Sequence, residues 1–219
     1  MRSVRQRGAV ALLVVAAVVG ACAPPPVGGG GGPLTLSAGH IDAVEVSLDG
    51  LALKLQVKDH TAGVTYRDPA QTVLHVKPES QTTVPSGSAF AFLGAPGTAF
   101  WNLPQTQNAN LLWPGTSIER IGSGELLGNA VTWTIQSVSG PGGFHVYTVG
   151  SFGAPTVLFS TQSSFPQSRP LSVASHAHYN WSFGATGTYT LVMRANATLA
   201  NGTPVASPNT TYTFKVGPL

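Results

Sequence analysis

From Pro33 to Leu219, apolar and polar side chains alternate with a period of two, and this limits the possible folds more than any other feature. Val44, Val46 and Leu48 are interleaved with Glu45 and Ser47. Leu51, Leu53, Leu55 and Val57 are interleaved with Lys54, Gln56 and Lys58, and Val131, Trp133 and Ile135 with Thr132, Thr134 and Gln136. A period of two places the two sets on opposite faces of an extended chain, so these segments read as half-buried strands. Residues 72–76, 144–149, 156–160, 188–197 and 212–216 extend the series, and residues 172–183 read as one further strand. Turn signals separate them, among them Asp49-Gly50, Arg67-Asp68-Pro69 and Asn201-Gly202. No segment of a dozen residues carries the helical period; one short helical turn is expected within residues 105–112. The pattern predicts an all-β protein, an antiparallel immunoglobulin-like β sandwich, with a barrel as the competing closure. Residues 90–115 hold Phe92, Phe100, Trp101, Leu103, Leu112 and Trp113 among Pro, Gly and Asn, and read as a long irregular aromatic-rich insertion packed as a cap or rim.

Composition narrows the function classes. Charged residues are 9% of the chain, against roughly 25% in an ordinary soluble domain. Of eleven Lys and Arg, three (Arg2, Arg5 and Arg7) stand in the first seven positions, which leaves eight against eight Asp and Glu beyond them. The apparent basicity therefore belongs to the amino-terminal end, and no basic surface for nucleic acid is expected. After those arginines comes an apolar run from Gly8 to Val19, shorter than the about 20 residues of a membrane span, then Gly20-Ala21-Cys22. Val19-Gly20-Ala21-Cys22 resembles a bacterial lipobox, and Cys22 is the sole cysteine of the chain. Residues 1–21 read as a lipoprotein signal peptide, with Cys22 as the lipidated residue. Residues 22–32, with Pro24-Pro25-Pro26 and a run of glycines, read as a tether. Residues 33–219 form a single surface domain on the outer face of the cytoplasmic membrane. No disulfide is available to it, so its core alone must hold it.

The chemistry-bearing residues are histidines. In Ser175-His176-Ala177-His178-Tyr179-Asn180-Trp181-Ser182-Phe183, alternation puts Ala177, Tyr179, Trp181 and Phe183 on a core face and His176, His178 and Asn180 together on the other. Two imidazoles at that spacing can converge on one metal ion if a third ligand faces them; the same pattern also suits a solvated strand face. His40 and Asp42 share a strand face in Gly39-His40-Ile41-Asp42, where the carboxylate can ligate or orient the imidazole. His75 and His145 sit between apolar neighbours and read as satisfied structural residues, and His60 reads as solvated. No nucleophile elbow or phosphate loop occurs, and the acidic residues are scattered, so no enzyme is expected.

Taken together, Gly39-His40-Ile41-Asp42, Phe92-Leu93-Gly94, Trp101-Asn102-Leu103-Pro104-Gln105, Leu112-Trp113-Pro114-Gly115, Gly140-Pro141-Gly142, Phe152-Gly153 and His176-Ala177-His178-Tyr179-Asn180-Trp181 resemble, in order and spacing, the choice-of-anchor M domain, or actinobacterial surface-anchored protein domain, across residues 38–217. The resemblance implies a surface domain held by variable anchors and associated with ABC transporters of the metal-chelate type. It favours His40, His176 and His178 as metal ligands, with Asp42 or Gln105 completing the set; Gln105 enters through its place in the Leu-Pro-Gln motif. A transition-metal ion is the expected cofactor, zinc suiting three imidazoles. The competing reading is an adhesive wall module without metal, contacting glycan or protein through Trp101 and Trp113. A zinc hydrolase is a third reading, lacking an evident general base.

Overall fold

The strands form where β-branched and aromatic residues alternate with Thr, Ser and Gln, and they stop at Gly, Pro and Asn. A computed structural model describes residues 32–219; the signal peptide, Cys22 and nearly all of the tether lie outside the described residues. In chain order the strands are β1 (Leu34–Leu36), β2 (Gly39–Asp49), β3 (Ala52–Asp59), β4 (Thr65–Arg67), β5 (Thr72–Val76), β6 (Gln81–Thr83), β7 (Ala99–Leu103), β8 (Leu112–Ser117) and β9 (Ala130–Ser139). They continue as β10 (Phe144–Val149), β11 (Pro155–Ser160), β12 (Gln167–Ser172), β13 (His176–His178), β14 (Asn180–Phe183), β15 (Gly187–Thr198), β16 (Pro204–Ala206) and β17 (Thr210–Val216). They build an all-β sandwich from three sheets, ordered β1-β5-β17-β15-β9-β12 with β16 on β15, β11-β10-β14-β7-β6, and β13-β8-β2-β3-β4. β15 and β17, expected as strands at 188–197 and 212–216, pair antiparallel from Gly187↔Val216 to Met193↔Thr210. The pairs β1/β5, β5/β17 and β2/β8 are parallel, so two of the sheets are mixed rather than purely antiparallel.

The core is where the alternation placed it. Val131, Trp133 and Ile135 are fully buried, as are Tyr189, Leu191, Met193 and Ala195 on β15. Trp181 sits among Trp133, Phe144 and Phe214, with ring centroids 5.6–6.1 Å apart. Truncating such a ring to alanine costs about 3–5 kcal/mol.

Three local expectations are corrected. Residues 172–183 do not form one strand. After β12 the chain turns through Ala174, whose φ of 56° is left-handed, and Ala174 N–H donates to Ile118 O. β13 then pairs with β8 in one sheet, whereas β14 pairs with β10 and β7 in another. The alternation survives the break: Trp181 and Phe183 are buried and His176 is exposed. Residues 90–115 are less irregular than expected, since β7 and most of β8 lie within them, preceded by a 3-10 segment at Ser88–Leu93. No helical turn forms within residues 105–112; Asn108 instead closes an Asx turn by accepting from Asn110 N–H at 3.0 Å.

β2 carries the feature that matters most for the site. Its register against β3 slips between Asp42 and Glu45, and against β8 between Asp42 and Val44. One extra residue in β2 re-phases the strand, so that Ile41 and Ala43 before the bulge and Val44 and Val46 after it are all core residues. Asp42 is thereby held at full burial.

Candidate metal centre

The site is assembled on three adjacent strands. Parallel pairing sets His40 beside Trp113 and Asp42 beside Gly115; antiparallel pairing sets His178 beside Gly115 and His176 beside Ser117. The middle strand, β8, supplies no ligand. Its small residue at 115 lets side chains from both neighbours meet above it. A Cβ on Gly115 would stand 2.7 Å from Ala177 O and 2.8 Å from His178 Cε1, so only glycine fits beneath that ring. Two residues earlier, the Trp113 indole lies flat against His178, with centroids 3.5 Å apart and planes 6° apart.

His40, Asp42, His176 and His178 each offer one donor atom, and these atoms all lie within 4.8 Å of one another. His176 Nε2 is 2.7 Å from Asp42 Oδ1 and 3.3 Å from His40 Nε2, and His40 Nε2 is 3.5 Å from the same carboxylate oxygen. A tetrahedral zinc with bonds of about 2.0–2.1 Å has donor–donor edges of roughly 3.3–3.4 Å, so the His40–His176 edge already has the required length. Both ring nitrogens of His178 are buried without a hydrogen-bond partner among the described residues. An orphaned imidazole of this kind costs free energy unless something ligates it. The donor chemistry therefore fits a metal ion, three nitrogens and one carboxylate with no sulfur.

Electrostatics prepare the ligands. Burial, reinforced by His176 and His40, pushes the His178 pKa down to about 4. His40 is lowered by burial, against the opposing attraction of Asp42. Both rings are thus neutral at physiological pH, the form that ligates. The other oxygen of Asp42 is engaged away from the cluster: Oδ2 lies 3.3 Å from His60 Nε2 and 3.6 Å from Lys58 Nζ. Burial opposes the Lys58 charge, but its hydrogen bond to Glu119 at 2.8 Å and the nearby Asp42 outweigh that and raise its pKa. Glu119 is correspondingly held below the usual carboxylate range, by the Lys58 ammonium first.

Of the residues proposed from sequence, His40, Asp42, His176 and His178 come together. Gln105 does not join them through a hydrogen bond. Its Oε1 accepts from Val149 N–H and from Asn180 Nδ2, and its Nε2 donates to Val149 O. Its carbonyl accepts the Trp113 indole N–H at 2.9 Å, so it steadies the wall of the site. Asn180, predicted to share the histidine face, belongs to that Gln105 network on the other sheet. Trp101 is half-buried against the core, and Trp113 is engaged by His178 rather than offered as a free stacking face.

His60, expected to be solvated, is part of the site. It stacks on His40 at 4.1 Å with planes 12° apart, and its N–H donates to His40 O. The signal was present in the hairpin: counting back along the ladder from Asp49 and Gly50 brings His60 to the His40 end of β2. His75 and His145 are hydrogen-bonded core residues, His75 through Ser37 Oγ and Gly217 O and His145 through Ser160 Oγ.

No family model matches this chain, and no curated protein or solved structure gives a significant match. Among the described residues, no helix is long and apolar enough to cross a membrane.

Proposed function

We propose that this protein is a lipid-anchored surface domain that holds a transition-metal ion, zinc by its donor set, and presents it at the outer face of the cytoplasmic membrane. The observation that carries the metal is the convergence of His40, Asp42, His176 and His178 within 4.8 Å, with His178 left without any other partner. The ion would be reached from solvent past His40, His60 and His176, whose side chains are 23–30% exposed. That open side suits exchange of the ion with a second protein. The resemblance to the choice-of-anchor M domain makes an ABC transporter of the metal-chelate type the proposed partner, and Cys22 in its lipobox setting the proposed anchor. We read the centre as one for binding rather than catalysis. The two further carboxylates nearby are not free to act as a base at the open side: Glu119 is tied to Lys58, and Glu45 is fully buried.

Equilibrium dialysis against zinc, with metal analysis, tests this reading. The expected result is about one zinc per chain and a raised melting temperature. A His176→Ala/His178→Ala double variant, folded by circular dichroism, should lose affinity by several orders of magnitude, since each ligand of a structural zinc is worth roughly 3–4 kcal/mol. Wild-type protein that takes up no zinc, copper or manganese overturns it. Membrane fractionation of Cys22→Ser tests the anchor separately: the variant should leave the membrane fraction, and unchanged partitioning refutes lipidation.

A further inference from the structure

The sheet β11-β10-β14-β7-β6 carries a second arrangement that the metal centre does not use. Its outer face is polar and yet buried: His145, Ser160, Asn180 and Ser182 are all at least nine-tenths covered. The cover is a strap closed at its base by Val84 N–H to Thr98 O and Gly97 N–H to Val84 O, both 2.9 Å. On the strap, Phe92 meets the His145 and Tyr147 rings edge-on, at 5.4 and 5.1 Å. Between strap and sheet lies a cavity of about 270 Å³, lined by Phe92, Phe100, His145, Gln162, Ser182 and the backbone of Gly143, among others. The motifs Phe92-Leu93-Gly94 and Gly140-Pro141-Gly142, which play no part in the metal centre, meet or border it.

The polar atoms in this cavity are arranged for a ligand. Ser160 Oγ accepts Gln162 N–H and is hydrogen-bonded to His145 Nδ1, 2.9 Å away. Burial keeps the ring neutral, so one of its nitrogens carries a hydrogen and the other accepts. Its Nε2 lies beside Gly143, where an added Cβ would stand 3.1 Å from it. Gln162 donates its amide to Phe92 O and keeps Oε1 as an acceptor. A ring nitrogen and an amide oxygen therefore meet an apolar wall of Phe92 and Phe100. No Lys, Arg, Asp or Glu lines the cavity, so nothing there would balance an ionic ligand.

We infer that this cavity binds a neutral sugar ring, its C–H face against Phe92 and Phe100 and its hydroxyls bonded to His145 Nε2 and Gln162 Oε1. A hydroxyl both gives and accepts a hydrogen bond, so it suits the ring nitrogen in either tautomer as well as the amide oxygen, and the volume admits one ring.

The test is saturation-transfer NMR of the full chain with glucose, galactose, mannose and N-acetylglucosamine, alongside glucuronate and phenol. At least one neutral sugar should bind saturably with a Kd in the millimolar range expected of so small a ligand. Gly143→Ala should weaken it at least about tenfold. Its methyl meets only the side-chain tips of His145 and Thr161, so the fold should hold, as an unchanged melting temperature would show. His145→Ala should act likewise. Absence of binding by all four sugars, preference for glucuronate or phenol, or indifference to Gly143→Ala in a folded variant each overturns the inference. No metal enters the test, so its failure leaves the metal reading standing.

Discussion

Two histidines, His178 on β13 and His145 on β10, share one physical state and have different surroundings. Burial pushes each pKa from 6.5 down to about 4. On β10 one nitrogen is bonded to Ser160 Oγ and the ring lines the cavity under the strap. On β13 neither nitrogen has a partner, and three further donor atoms stand beside the ring. A low pKa is thus common to both regions and does not separate them. What separates them is whether a neighbour hydrogen-bonds the ring or only further ligand atoms stand beside it.

Acid should expose this difference most strongly. Both folded pKa values are depressed, so the unfolded chain binds protons first, and stability present above pH 6.5 is lost as pH falls toward 4. His145 alone should account for up to roughly 3 kcal/mol of that loss. Urea unfolding between about pH 7.5 and pH 4.5 should show a steep decline in the metal-free protein, and His145→Gln should flatten it. Zinc should raise the curve at neutral pH and lose its effect as pH falls toward about 4, because protons then compete with the ion for the His178 nitrogen. Acid sensitivity that zinc leaves unaltered across that range would erase the distinction between the two regions.

Glycines sharpen it next. Gly115→Ala drives a methyl against the Ala177 carbonyl as well as the His178 ring, and backbone cannot step aside. It should cost about 1–3 kcal/mol in thermal unfolding and weaken zinc binding too. Gly143→Ala meets only side-chain tips and should cost far less. Equal costs would show that His178 is not held as tightly over β8 as the packing indicates.

The smallest effect is assigned to His60. It holds Asp42 Oδ2 at 3.3 Å without belonging to the four-donor cluster. His60→Ala should weaken zinc about tenfold, as loss of a group orienting a ligand does, and leave metal-free stability nearly unchanged. Isothermal titration decides between this and no effect, the outcome expected of a solvated His60.

Period-two alternation was enough to identify the longer strands, such as β2, β3, β9 and β15, and the all-β class, because the burial of every second side chain is a local property of an extended chain; short strands such as β4, β6 and β16 hold too few residues to show a period. It also put His176 and His178 on one face and Trp181 on the other. What it could not reveal was that residues 172–183 are divided between two sheets, since the alternation runs unbroken through the division at Tyr179. The bulge in β2 was equally hidden: the extra residue is recognised only from the partners on β3 and β8, whose registers it shifts. His40 and His176 stand 136 residues apart in the chain, and their contact depends on the parallel pairing of β2 with β8. Residue types near one another in sequence therefore determined which side chains were available as ligands. Strand order determined which of them met, because pairing energy accrues between strands and leaves no periodic trace along either one.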